Sequence, residues 1–282
     1  MYYPIKIQKK DFILMPDAIT KGTRQKKIAI DLKENKIAFF KYEEYNCTEA
    51  CSEKMAYEIA KVLEYPCAKV ELARDENGTI GILDYLFVDN QTLQHIDAIS
   101  YINKNNGNRN EFYTIENIKK CLDKIDTSLF YEFLKILIFD ALIGETDRHE
   151  ENWGILIENG KYKISPLYDN GCNLLREFKN IDFAKKYYNG EKSFESYIER
   201  SKSLIYNESS KKQYKHFELI KRLYKEYPEI VKKEINNMEK LTSSKIETIV
   251  NKIPKDLMEN EHKQYIIKFI IERKMKLKNI IK

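Results

Sequence analysis

The sequence predicts an α+β protein of two lobes, a small antiparallel-sheet lobe with one helix followed by a larger, mainly helical lobe. Three observations predict it. Short β-prone runs flank a single helical stretch in the first 90 residues. Tyr, Ile, Leu and Lys recur at helical spacing through most of the remainder. The change of character falls near Phe87–Leu93, which sets expected lobes at 1–90 and 91–282. A chain of 282 residues has room for both.

Taken in order, KKIAIDL (26–32) and KIAFFKY (36–42) are β-prone runs separated by three polar residues and predict a hairpin. The stretch NCTEACSEKMAYEIAKVLEYP predicts a helix of about four turns, capped by Asn46 or Thr48 and stopped by Pro66. CAKVELA and TIGILDYLFV predict strands joined by the turn Asp75-Glu-Asn-Gly78. The polar segment 103–110 reads as a surface loop, and 114–126 and 128–143 read as helices, the second apolar enough to be buried. NWGILI and KYKISPL alternate around Glu158-Asn159-Gly160-Lys161, another hairpin signal. From about Phe183 onward the pattern is helical, with breaks near Pro228 and Pro254.

Composition narrows the functional classes. Hydrophobic residues make up 43% and charged residues 33%, and only 9 Gly and 6 Pro occur with no low-complexity tract, so a folded domain is expected. The N-terminus lacks an apolar segment of signal-peptide length and no run of about 18 apolar residues exists, so a cytoplasmic protein without membrane contact is expected. The five cysteines are scattered and odd in number, which fits reduced thiols better than a disulfide framework or zinc site. The net charge of +5 resides entirely in residues 251–282. Acids are interspersed among those cations, so a solvated helix face is the expectation and nucleic acid an unlikely direct ligand.

The chemistry concentrates in GETDRHEENWGILIENGKYKISPLYDNG (144–171). Asp147 and Asn152 stand in the D-x-x-x-x-N spacing of a phosphotransfer loop, where the Asp orients an acceptor hydroxyl and the Asn binds Mg²⁺. After the hairpin comes Asp169-Asn-Gly171, a D-x-G triplet whose carboxylate is the second candidate metal ligand. Taken singly, each is an ordinary turn or surface feature; their order and the secondary structure between them point to one site. The N-terminal half supplies the counterpart. Lys41 at the end of KIAFFK is placed to hold nucleotide phosphates, with Glu53 on the following helix as its partner and Glu49 as the competing one. GTRQK offers Gly22, Thr23 and Lys26 as a phosphate-covering turn, with Thr23 a candidate autophosphorylation site. His149 is expected to organise the loop through hydrogen bonds and Trp153 to pack the hairpin on its lobe; His95, His216 and His262 show no evident partners.

The same residues resemble the HipA-like serine/threonine kinases in their compact, kinase-core form. Thr146, Asp147, His149 and Asn152 match that family's T-D-x-H-x-x-N block, and Pro166, Tyr168 and Asp169 its P-x-Y-D block. The resemblance implies a bilobal protein-kinase-like fold and ATP with Mg²⁺ as cofactors. It implies Asp147 as catalytic base, Asn152 and Asp169 on the metal, and Lys41 on the phosphates. A protein substrate with a Ser or Thr acceptor follows, together with an antitoxin or regulatory partner of the kind some members have. Where many members carry Asn this chain has Glu145, and Glu150 and Glu151 add negative charge inside the loop. Three other readings stay open: a small-molecule or lipid kinase of the same fold, a nucleotide-binding pseudokinase acting as an interaction module, and a nucleic-acid binder using the basic terminal helix.

Overall fold

A computed structural model of the chain describes residues 1–15, 26–43, 45, 47–88, 93–102 and 107–282. The first lobe is built on a six-stranded sheet: β1 (Ile5–Ile7), β2 (Phe12–Leu14), β3 (Lys26–Asp31), β4 (Lys36–Tyr42), β5 (Val70–Arg74) and β6 (Ile80–Tyr85). Its spatial order is β1-β5-β6-β4-β3-β2. The two expected hairpins form its centre. Strands β1 and β2, three residues each, are additions that no pattern announced, and β1 joins β5 in parallel. The single helix of this lobe, α1 (Glu49–Leu63), starts at Thr48 and ends with Glu64 in the left-handed conformation.

Side-chain alternation divides this sheet into two faces. Ala38 and Phe40 of β4, Ala29 of β3 and Leu83 and Tyr85 of β6 gather with Phe12 in a small cluster on one side. The intervening residues of the same strands, Lys41 and Asp84 among them, therefore point to the other side. Val70, Leu72 and Ile82 also lie in the main core, together with Met55 and Ile59 of α1.

The second lobe begins with β7 (Leu93–Asp97) and the short helices α2 (Ile99–Ile102) and α3 (Arg109–Phe112), then α4 (Ile115–Leu122) and α5 (Ser128–Ile143). Helix α5 is buried almost all round, as its apolar run requires. Strands β8 (Gly154–Glu158) and β9 (Lys161–Ile164) form the third expected hairpin and pair with β7 in a three-stranded sheet. Its turn residues Asn159 and Gly160 both have positive φ, the geometry that matches strand twist in a two-residue hairpin.

The remainder comprises α6 (Ile181–Tyr188), α7 (Phe194–Arg200), β10 (Lys202–Tyr206), β11 (Gln213–Lys215), α8 (His216–Glu226), α9 (Pro228–Asn237), α10 (Ser243–Asn251) and α11 (Asn260–Ile280). Pro228 opens α9, where a missing N–H costs nothing. The β10–β11 hairpin corrects the all-helical expectation for this region: Lys202 and Tyr206 pair with Lys215 and Gln213. Among the described residues no helix is long and apolar enough to cross a membrane. The basic α11 is not a bare cationic face. Lys276 meets Glu195 at 3.1 Å and Glu199 at 2.9 Å, and Lys274 and Lys278 meet Glu239.

Candidate active site

Lys41 sits where the two lobes meet. On β4 its Cα is paired with Ile82, and Asp84, two residues further along β6, lies diagonally across the ladder on the same face. Lys41 Nζ is 2.8 Å from Asp84 Oδ2, 3.1 Å from Asp169 Oδ1 and 3.5 Å from Glu53 Oε1. One ammonium thus gathers acids from the sheet, from α1 and from the second lobe. Burial by itself would lower the Lys41 pKa, but Asp84, Glu53 and Asp169 outweigh it and hold the pKa well above the usual lysine range. Glu53 moves up to about 8: burial raises it most, Asp84, Asp169 and Glu49 add to that, and Lys41 opposes them.

Of the two acids weighed for Lys41, Glu53 is the one that faces it, whereas Glu49 turns to Arg176 at 2.9 Å. Lys26 lies directly opposite Lys41 in the β3–β4 register, its ammonium 5.2 Å from the Phe39 ring centroid. Burial and then the neighbouring Lys41 charge lower the Lys26 pKa. Gly22 and Thr23 lie outside the described residues, and with them the proposed phosphate turn and its modification site.

The opposing half is a loop hung on the end of α5. Gly144 closes that helix at φ +75°, and a Cβ there would come within 2.6 Å of the Phe269 ring. The chain then turns under control of its own side chains. Glu145 accepts the Asp147 N–H at 2.8 Å, and Asn152 Nδ2 donates to the Asp147 carbonyl at 2.9 Å. With its nitrogen so used, Asn152 has its Oδ1 left as the oxygen that suits a hard cation. His149 Nδ1 accepts the Glu151 N–H at 3.2 Å, an organising contact within the loop. Glu150 is buried and hydrogen-bonds Arg109, so it adds no free charge to the loop.

Arg148 holds the two halves of the motif together. It is buried and forms a two-pronged pair with Asp140 of α5, Nη2–Oδ1 2.9 Å and Nε–Oδ2 3.2 Å. It also donates to the Asn152 carbonyl at 3.0 Å, the Tyr168 carbonyl at 2.8 Å and Asn170 Oδ1 at 2.6 Å. A planar guanidinium with five donors can tie the 147–152 loop to the 168–170 segment in this way, which a lysine cannot. Between its neighbours Tyr168 and Asn170, Asp169 takes φ +53°, a left-handed conformation that Asp tolerates better than bulkier residues. Trp153 packs as expected, donating to the Tyr113 hydroxyl at 2.9 Å and stacking near Phe133 at 4.2 Å between centroids.

Asp84 and Arg148 are the two site residues that sequence reading passed over. The available signal for Asp84 was an acid inside the apolar strand run TIGILDYLFV, which burial makes costly unless a cation meets it. Three carboxylates around one ammonium leave a surplus of negative charge that a divalent cation would balance, and Asp169 and Asn152 supply oxygen donors for it. Among the described residues no group of three or more His, Cys, Asp or Glu could hold a metal by itself. Mg²⁺ is commonly held by one or two carboxylates together with substrate phosphates.

The HipA-like C-terminal domain matches residues 19–244 of this chain. The curated serine/threonine-protein kinase CtkA of Helicobacter pylori (strain J99) is 26% identical over 178 residues, 57% of this chain and 51% of the relative. The chain therefore spans about half the length of that curated relative. Among solved structures, the Helicobacter pylori proinflammatory kinase CtkA superposes with a TM-score of 0.80 at 18% identity, covering 98% of this chain and 97% of the other. HipA of Shewanella oneidensis MR-1, solved as a toxin–antitoxin complex with HipB and operator DNA, gives a TM-score of 0.60 at 11% identity, covering 94% and 67%. The fold is the bilobal kinase-like one.

Proposed function

Because this chain belongs to the HipA-like C-terminal domain family, we propose that it is an ATP- and Mg²⁺-dependent kinase that transfers the γ-phosphoryl group to a Ser or Thr hydroxyl of a protein. The observation that carries this reading is the ion cluster at Lys41, where Asp169 of the second lobe meets the lysine of the first at 3.1 Å. That contact brings together the lysine and the carboxylate to which this reading gives the phosphates and the metal. The name of the curated relative, a serine/threonine-protein kinase, points the same way.

In this reading Lys41 and Lys26 hold the nucleotide phosphates, and Glu53 keeps Lys41 extended into the cleft. Asp169 and the Asn152 Oδ1 hold Mg²⁺, which when bound offsets charge on the phosphates. Asp147 orients the acceptor hydroxyl and takes its proton as the hydroxyl oxygen forms its bond to the γ-phosphorus. The bond from that phosphorus to the β,γ-bridging oxygen breaks, and ADP leaves. Positioning and charge neutralisation supply most of the rate, so the loop's rigidity is part of the chemistry. Lys274, Lys276 and Lys278 of α11 are tied by glutamates of other elements, which favours a protein over a nucleic acid as the macromolecular ligand.

Labelled ATP incubated with the chain and a lysate tests this. Label is expected in protein, and Asp147→Ala and Asp169→Ala are each expected to lower transfer by about 10²–10⁴-fold with unchanged melting behaviour. Near wild-type transfer by both variants would end the assignment. Label appearing only in small metabolites would move it to a small-molecule kinase.

A further inference from the structure

A concavity opens beside the loop that carries Asp147. Its volume is about 480 Å³, within the range of ligand sites. Thr146, the residue before Asp147, and Cys172 form its inner wall, and Cys172 Sγ is 3.7 Å from Asp147 Oδ2. The cavity therefore lies one side chain away from the group assigned as base. Leu174, Leu175 and Phe269 give it an apolar lining. Leu174 and Leu175 hold positive φ at +46° and +59°, a conformation that costs energy for such residues and that their buried surroundings must hold.

The charged groups of the cavity are unequally matched. Arg176 is paired with Glu49 at 2.9 Å, and Glu177 receives the Tyr197 hydroxyl. Arg200, at the end of α7, donates Nε to the Ser196 carbonyl at 3.0 Å and meets no carboxylate among the described residues. Arg200 lines the cavity, and its Nη donors meet no partner among the described residues. Asn173, also in the wall, has a buried Oδ1 that meets no donor among the described residues. A carboxylate is what such a guanidinium recognises, by two parallel N–H···O bonds.

We propose that this cavity seats the acceptor segment of the protein substrate and selects an acidic side chain close to the Ser or Thr, with Arg200 as the residue that reads it. The inference rests on the kinase reading above for the word acceptor, but the binding it asserts does not require turnover. The apolar lining takes a neighbouring side chain, the guanidinium takes the acid, and the hydroxyl comes to lie at Asp147.

The experiment uses the intact chain and dye-labelled peptides with one central Ser flanked by Glu, Ala or Lys, followed by fluorescence anisotropy without ATP. The Glu peptide is expected to bind most tightly, Arg200→Ala to weaken it about tenfold, and Arg200→Glu to reverse the preference towards the Lys peptide. Arg200 is exposed, so both variants should keep the wild-type melting curve. An Arg200→Glu protein that still prefers the Glu peptide overturns the proposal, as does equal binding of all three. Displacement of the Glu peptide by an equal concentration of inorganic phosphate would overturn the peptide assignment in favour of a small anion. If charge-reversed binding is seen but no transfer to any of these peptides occurs with ATP, the acceptor role falls with the kinase reading while the anion-reading site remains measured.

Discussion

A lysine ammonium withdrawn from water between two lobes costs several kcal/mol unless acids face it, and Lys41 meets three of them within 3.5 Å. Two of the three, Glu53 and Asp169, were legible from motif order, because a strand lysine, a helix acid and a D-x-G triplet recur in that sequence in phosphotransfer sites. Asp84 was not, because its partner is fixed by strand register, which a single acid in an apolar run does not reveal. Arg148 was missed for a related reason: its acceptors are three backbone and side-chain oxygens brought near it only by the fold, besides Asp140 one α5 turn away from the loop. His216 is a further case. It showed no partner in the sequence, yet its ring bonds Ser201 Oγ, Arg273 Nη2 and the Glu145 carbonyl. The energetic weight of Arg148 can be stated. Arg148→Met leaves Asp140 buried without its cation, so urea unfolding should show a loss of about 3–5 kcal/mol. Arg148→Lys should recover part of that stability but not the transfer rate, since one ammonium cannot span the Asn152, Tyr168 and Asn170 acceptors. Equal stability of the methionine variant and the wild type would show that the pair does not tie the loop.

Among the elements, those with strong periodicity or turn chemistry were legible: the two hairpins of the sheet, α1, α5, and the β8–β9 turn with its Asn-Gly. The elements that were not legible are short and depend on partners. Strands β1 and β2 have three residues each, too few for a period, and exist because β5 and β3 offer free edges. The β10–β11 hairpin is rich in Lys, Ser and Tyr, and its spacing resembles that of the helices around it. The element on which the site most depends is the β4–β6 pair, since it sets Lys41 against Asp84. Gly81 lies at its tightest approach: a Cβ there would fall 2.3 Å from the Lys41 carbonyl oxygen and 3.0 Å from the Phe40 ring. Gly81→Ala must therefore push the strands apart or twist them. A loss of about 1–3 kcal/mol is expected from overpacking, along with weaker nucleotide binding, because the ammonium moves with its backbone. Gly160→Ala is the control, for it sits at a hairpin tip with nothing within 4 Å of the added carbon. That variant should keep nucleotide affinity while losing only about 1 kcal/mol to its left-handed backbone. Isothermal titration with ATP and Mg²⁺ on both proteins decides: equal affinities would mean the strand spacing at Gly81 does not set the site.

At the scale of the whole molecule, one core runs through both lobes. Val70, Leu72 and Ile82 of the sheet belong to the same buried cluster as α1 and the helices α5, α8 and α11. The end of α1 and the turn after it are further anchored across the boundary, with the Tyr65 hydroxyl donating to Glu234 at 2.7 Å and Asn237 Nδ2 to the Leu63 carbonyl at 2.8 Å. The charges buried within this continuous interior make global stability a function of pH, and Glu145 offers the cleanest case. Burial raises its pKa from 4.5 to about 7; the nearby Asp140 adds to the rise, while Arg148 and the bonds from Asp147 N–H and Asn173 oppose it. The folded protein thus holds a proton there that the unfolded chain has released. The stability this contributes is fully present below the unfolded value of 4.5 and is lost as pH rises through about 7. Its size is on the order of 3 kcal/mol for a group this deeply buried. Other groups titrate over the same interval, Glu53 among them, so the total profile is a sum and the difference between two proteins is what isolates one site. Glu145→Gln keeps an acceptor for the Asp147 N–H and cannot ionise. Its altered contact with Asn173 shifts stability by an amount independent of pH. The stability of Glu145→Gln minus that of the wild type should therefore rise between pH 4.5 and 7 and be flat below that interval. A flat difference across the whole range would show that Glu145 carries its charge in the folded loop at no cost.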